Sequence, residues 1–458
     1  MRRLREALEA VAICLAAVLA GLTVMVPIDP TRDSSQDTAP WVDLAVFNVP
    51  RATTAAAFVA VLAAVFAVMM SIAAAWITAS LVALALLVDQ VLWSNEIGSQ
   101  SALTYVDSLW AGVLMGLFGT LSWSRRSTAS AFLFGAMTGI LVGDFTPSPS
   151  AGETPSLLDR FLLDSPHTAS MAVLAVLNGA CAIANRHRPV RVRRLVDVVP
   201  LRPILAAGLV FPTILLTSEW FAEDGYDIRV LCVGVVLIVL ATTAGAFVLP
   251  GRDGMLLLLM VAFAAAGSTP ITVPRPDWAV VLFIGAIALG LLVGYRRGLP
   301  LVASAVTAAL AVASILTVVT GAHGALIAVL GGTAVAFVGG YCLGAMTPLF
   351  PSIPPLAIAA LFVPSCAVAL WGRDFERVAY SPNWYRPIEP DMAVAPGVVA
   401  LAVTVGCASG IALLYRVRPA TKEAVRNSWA RMHEAGDPRS GTPLVRPVPP
   451  GRAAPTGH

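Results

Sequence analysis

Apolar runs about 20 residues long, separated by short polar turns, recur along almost the whole chain. A helix rising ~1.5 Å per residue needs about that length to cross roughly 30 Å of hydrocarbon. The runs predict helical spans at Ala10–Ile28, Leu109–Trp123, Ala129–Phe145, Thr168–Ala184, Pro203–Ser218, Val230–Leu249, Met255–Val273 and Trp278–Tyr295. Four more are predicted at Pro300–Thr320, Gly324–Met346, Pro355–Trp371 and Val394–Tyr415. The uncharged stretch inside Arg51–Asn95 would be about 60 Å long as one helix, twice the bilayer core. It is therefore expected to hold two spans with a turn near Met69–Ser71. The fold class that follows is all-α: a polytopic transmembrane helix bundle of about fourteen spans over residues 1–418.

Charge orients these spans. Arg2, Arg3 and Arg5 precede the first run, and Arg125–Arg126, Arg186–Arg194, Arg252, Arg296–Arg297 and Arg416–Arg418 follow at five of the seven later turns on that side. The alternate loops are acidic, with Glu153, Asp159 and Asp164 in one and Glu219, Glu223, Asp224 and Asp227 in another. Cytoplasmic loops carry the excess of Lys and Arg, so both termini are expected in the cytoplasm and the protein in the cytoplasmic membrane. A signal peptide competes for the first run. That run exceeds the about 7–15 apolar residues of a signal core and no small-residue cleavage pattern follows, so a retained span is expected.

Composition narrows the chemistry. Of 458 residues 57% are hydrophobic and 12% charged, leaving no room for a sizeable soluble domain. The net charge of +3 lies in turns beside spans, where it meets anionic lipid rather than nucleic acid. The six cysteines sit inside apolar runs without disulfide or zinc spacing. His167, His187, His323, His433 and His458 are scattered, so no metal and no cofactor are expected. Residues 419–458 read as a Pro-rich cytoplasmic tail. Within it Val425, Trp429 and Met432 stripe a short amphipathic helix, suited to anionic lipid at the cytoplasmic face or to a membrane-protein partner.

Glycine spacing is the most specific signal within the spans. Gly135, Gly139 and Gly143 fall four apart, as do Gly290, Gly294 and Gly298, with pairs at Gly112–Gly116 and Gly340–Gly344. Small residues at that interval let helix backbones approach, and packing between spans is their expected role. Ionisable residues in spans mark substrate or ion paths, because burying them in lipid is costly. The candidates for substrate or ion binding are Asp89, near the outer end of the third span, and Asn178, midway along the sixth. Asp144 and Glu219, at outer span ends, complete the set. Pro212, Pro364 and Pro396 are expected to break spans, freeing backbone groups that can line a cavity.

Two inward-running, Gly-rich spans end alike, in Gly119-Thr-Leu-Ser-Trp123-Ser-Arg125-Arg126 and Gly290-Leu-Leu-Val-Gly294-Tyr-Arg296-Arg297. They lie six spans apart, and with these turns the chain resembles the major facilitator superfamily. That family carries Gly-x-x-x-Asp-Arg-x-Gly-Arg-Arg after the second helix of each half. Trp123 stands where the family has Asp, and the second turn also lacks the acid. The resemblance implies two six-helix repeats plus two extra spans, with a site near the midplane between halves. The expected function is transport or export of a small-molecule or lipid-linked substrate. Two alternatives stay open: a membrane-embedded transferase acting at the outer face through Glu223 and Asp224, and a non-catalytic membrane subunit of an envelope assembly.

Overall fold

The computed structural model describes residues 2–25, 41–93, 100–146, 156, 158, 162, 167–186, 201–225, 227–270, 276–322, 324–370 and 393–418. Met1–Pro419 is one compact unit and Ala420–His458 a second. The second unit, with the expected amphipathic helix, lies outside the described residues, as do the loops at 26–40 and 371–392.

Every described element is a helix. They are α1 (Arg2–Met25), α2 (Trp41–Met69), α3 (Ile72–Trp93), α4 (Gln100–Ser122), α5 (Arg126–Asp144), α6 (Thr168–Asn185), α7 (Leu201–Asp224) and α8 (Ile228–Val248). The chain continues through α9 (Gly254–Gly267), α10 (Ala279–Arg296), α11 (Pro300–Thr320), α12 (Ala325–Gly344), the short α13 (Ile353–Ala359) and α14 (Cys366–Leu370), and α15 (Ala395–Val417). Ten of these are long and apolar enough to cross a membrane, and the chain is a multi-pass, membrane-type helix bundle. Val106–Ser122 within α4 and α9 are shorter apolar helices. The expected fourteen crossings differ from those ten at α4, α5, α9 and the α13–α14 pair.

The uncharged stretch after Arg51 turns at Met70–Ser71, where a span-length limit requires it. Several boundaries differ from the sequence expectation. Helix α2 starts at Trp41, so residues 41–50, expected in a loop, are helical in spite of Pro50. Helix α4 starts at Gln100, taking in polar residues that looked like loop. Helix α9 stops at Gly267 instead of reaching Val273: Ser268 Oγ donates back to Ala264 O at 2.8 Å, and Thr269 Oγ1 to Ala266 O at 2.7 Å. These bonds satisfy carbonyls that the helix would otherwise leave open. Pro396 begins α15 at its first turn, where its missing N–H costs nothing, and so breaks no span. Pro212 is carried inside α7 without interrupting it.

Glycine seams join three helix pairs. A Cβ at Gly135 would lie 2.5 Å from Cys14 O, and one at Gly139 would strike Val18, so α5 lies directly on α1. Gly112 and Gly116 bring α4 onto Ala56 and Ala60 of α2 in the same way. A Cβ at Gly294 would lie 2.7 Å from Tyr341 O, and one at Gly344 of α12 would lie 2.6 Å from Leu291 O. Gly290 and Gly340 extend that seam, and Gly143 is buried. With backbones this close, dispersion contacts replace side-chain interdigitation. The centre of the bundle is α9, whose Met255 to Phe263 are all buried. A helix apolar on every side needs that position. It packs against α8, α11, α12, α13, α14 and α15.

Long-range bonds sort by end. At the basic end Arg125 Nη1 lies 3.4 Å from both Glu6 and Glu9, and Trp123 Nε1 donates to Pro348 O at 3.0 Å. Arg252 Nε donates to Arg418 O at 2.7 Å, and Tyr341 Oη to Arg297 O at 3.1 Å. At the opposite end Arg51 pairs with Glu219 at 3.0 Å, and Ser156 Oγ donates to Asp277 at 2.9 Å. Each of these bonds joins turns that the alternating charge assigns to the same side.

Candidate functional site

Where Pro355–Trp371 was expected as one span, the chain forms two short helices. Helix α13 ends in tight turns, Leu361 N to Ile358 O at 2.9 Å and Phe362 N to Ala359 O at 3.0 Å. Pro364 then supplies no N–H and clashes with the preceding helical turn, so the helix cannot continue. Ser365 restarts it by accepting from Ala367 N at 3.2 Å. The freed carbonyl of Pro364 accepts from Ser218 Oγ of α7 at 3.0 Å. A helix broken within a span is tolerated only where protein or a cavity meets its backbone.

A cavity does lie there. Its volume is about 70 Å³, and it is bounded by α1, α5, α9, α12 and the break. Asp144, Ser268, Ser365 and Pro364 bring polar groups to a wall otherwise made of residues such as Phe263 and Val335. Ser268 and Ser365 come from α9 and the break, 97 residues apart, and their hydroxyls are 2.7 Å from each other. Asp144 is the last residue of α5. A carboxylate is the less favoured charge at a helix C-terminus, by roughly 0.3–1 kcal/mol at a surface. No described residue donates a hydrogen bond to it. A half-buried acid in an unfavourable position, facing a cavity with two hydroxyls, can take a proton, an ammonium group or a hydroxyl donor. The volume exceeds the roughly 15 Å³ that admits one water and falls below the ~300 Å³ of a typical ligand pocket.

The other sequence candidates lie apart from this cavity. Asn178 is fully buried between α6 and α3, where Nδ2 donates to Ala79 O at 3.4 Å and Oδ1 has no partner among the described residues. Glu219 is engaged by Arg51. Asp89 sits beside Gln90 near the end of α3, close to Asp107 of α4. Asp224 is exposed at the end of α7, and the side chain of Glu223 lies outside the described residues.

Sequence reasoning missed a second buried network, at the basic end. Glu9, 4% exposed, accepts from Arg5 Nε at 3.1 Å and from Asn185 Nδ2 at 3.0 Å. Arg5 also bonds to Asn185 Oδ1, tying α1 to α6. With Arg125 this network neutralises its own charges, and it reads as a structural fastening. Glu9 lies in the segment Met1–Glu9 that precedes the first predicted run. Only the position of α6 reveals that it is covered. Among the described residues no group of three or more His, Cys, Asp or Glu is placed to hold a metal ion.

No protein-family model matches the chain, and no curated protein matches it. Among solved structures, an auto-inhibited POT family peptide transporter overlaps with a TM-score of 0.36 at 15% identity, over 94% of this chain and 92% of its own. The E. coli fucose:proton symporter FucP overlaps with a TM-score of 0.40 at 14% identity, over 91% of this chain and 98% of its own. Both are transporters of the superfamily that the arginine turns resemble. At these overlaps the likeness carries no argument about substrate or mechanism.

Proposed function

We propose that the protein is a membrane transporter of a small solute, with its site at the cavity between Asp144, Ser268 and Ser365. The observation that carries this reading is the helix break at Pro364 beside an acid that no described residue neutralises. Broken spans whose freed backbone lines a cavity are how helical transporters build solute sites without extramembrane domains. The chemistry of the wall favours a solute that offers Asp144 a cationic or hydroxyl donor on an otherwise apolar body. Transport requires the site to open toward each face in turn. The orientation consistent with the charge sorting puts the basic end, with both termini, in the cytoplasm of a cell-membrane protein. A transferase acting through Glu223 and Asp224 has less support, since Asp224 is exposed at a helix end and outside the cavity lining.

The test uses purified protein in proteoliposomes with a panel of amines, amino acids, sugars and lipid-linked sugars. Asp144→Asn keeps the shape of the side chain and removes its charge. A charged hydrogen bond contributes about 1.5–3 kcal/mol, so the variant should lose about tenfold to a hundredfold in affinity for the transported solute. A solute whose uptake is unchanged in Asp144→Asn and in Ser365→Ala would remove the cavity from the account.

A further inference from the structure

Asp89 on α3 and Asp107 on α4 meet at the acidic end, outside the lining of the cavity. Asp107 is only 5% exposed, and its Oδ2 accepts from Gln90 Nε2 at 2.8 Å. Asp89 precedes Gln90 on α3 and so lies beside Asp107. Asp89 Oδ2 and Asp107 Oδ1 are both buried, and neither has a hydrogen-bond partner among the described residues. Two carboxylates this close repel strongly in a medium of low effective dielectric, and both cannot stay ionised. One proton converts that repulsion into an O–H to carboxylate hydrogen bond, among the strongest that side chains form.

We infer that Asp89 and Asp107 form a proton-binding site that holds one proton between two carboxyl groups. A metal cation suits the geometry less well. Hard cations take six or more oxygen ligands, whereas Gln90 turns its NH₂ toward the pair. Among the elements packed on α3 and α4, the charged or titratable groups described at this end are Arg51, Asp144 and His167, and Arg51 is paired with Glu219. Arg3, Arg5, Glu6, Glu9, Arg125 and Cys181 belong to the opposite end, and α13 carries no charged residue. The site holds whether or not the cavity at Asp144 takes a solute.

The experiment is infrared spectroscopy of the full chain in nanodiscs at neutral pH, with ¹³C-aspartate labelling to separate Asp from Glu. A protonated-carboxyl band that shifts on labelling is expected in the wild type. It should vanish in both Asp89→Asn and Asp107→Asn, because the new amide donates N–H to the remaining carboxylate without needing a proton. Asp144→Asn removes the cavity acid, which can itself take a proton, so the pair variants are read in that background, where the band of the intact pair should persist. Absence of a labelled band in the wild type overturns the inference, and that result needs no variant to fold. So does a band retained in both pair variants, or one that disappears from the wild type on adding Na⁺ or Ca²⁺ at constant pH.

Discussion

Gly135→Ala is the smallest change that should separate two helices. The new Cβ would sit 2.5 Å from Cys14 O and 3.1 Å from the Cα of Cys14, against ordinary contacts of 3.4–4 Å. Relieving the clash moves α5 off α1 by about 1 Å, and a gap of that size forfeits roughly a quarter to a half of each dispersion contact along the seam. The obstacle is backbone, so no side chain can swing aside. Gly139 against Val18, one turn away, resists any local tilt. The expected cost is that of overpacking, about 1–3 kcal/mol. Gly285→Ala is the matched control, because a Cβ there meets nothing within 4 Å. Alanine is the better helix former by up to about 1 kcal/mol, so this variant should be neutral or slightly stabilised. Equilibrium unfolding in mixed micelles, followed by helical circular dichroism, measures both. A Gly135→Ala protein within about 0.5 kcal/mol of wild type would refute the reasoning, given the magnitudes expected. Equal destabilisation at Gly285 would refute it too.

Two further outcomes follow from the basic end. Burial pushes the Asp253 carboxyl up to about 6, while hydrogen bonds from Leu349 N and Phe350 N pull the other way. The folded value exceeds the ordinary 3.8, so this group's stabilising contribution is full below 3.8 and lost as pH rises through about 6. Unfolding midpoints of wild type and Asp253→Asn, compared at acid and neutral pH, should show the wild type losing up to about 3 kcal/mol relative to the variant on going to neutral pH. A difference independent of pH would contradict this. Arg418 donates to Phe247 O, Leu249 O and Gly251 O at 2.7, 2.6 and 2.8 Å, closing the last carbonyls of α8. Arg418→Ala should cost about 2–3 kcal/mol in the same unfolding assay, with Arg418→Lys recovering only part, because an ammonium lacks the planar fork. Full recovery by lysine would show that charge alone matters there.

The bundle was legible in the sequence wherever one dimension sufficed. A run too long for the bilayer must fold back, and it does so at Met70–Ser71. Glycines four apart must share a helix face, and Gly135 with Gly139 and Gly290 with Gly294 each meet a neighbouring backbone. What escaped is whatever depends on which helices become neighbours. Asp107 looked like loop because polar residues precede Leu109, whereas α4 begins at Gln100 and the bundle covers the acid. Asp144 was a candidate only as an acid at a span end, with nothing in the sequence to say that a cavity faces it. Ser268 and Ser365 are unremarkable until α9 and the break at Pro364 bring them within 2.7 Å. Trp123, placed where the resembled family has an acid, fastens its turn to Pro348 by the indole N–H instead.

The central claim is that the cavity at Asp144 opens to each side of the membrane in turn. In a background with the six native cysteines replaced, Ser365→Cys can be exposed to a membrane-impermeant maleimide in right-side-out and in inverted vesicles. The account predicts labelling from both faces, slowed by the solute that Asp144 binds. Labelling from one face only, or from neither, would contradict it.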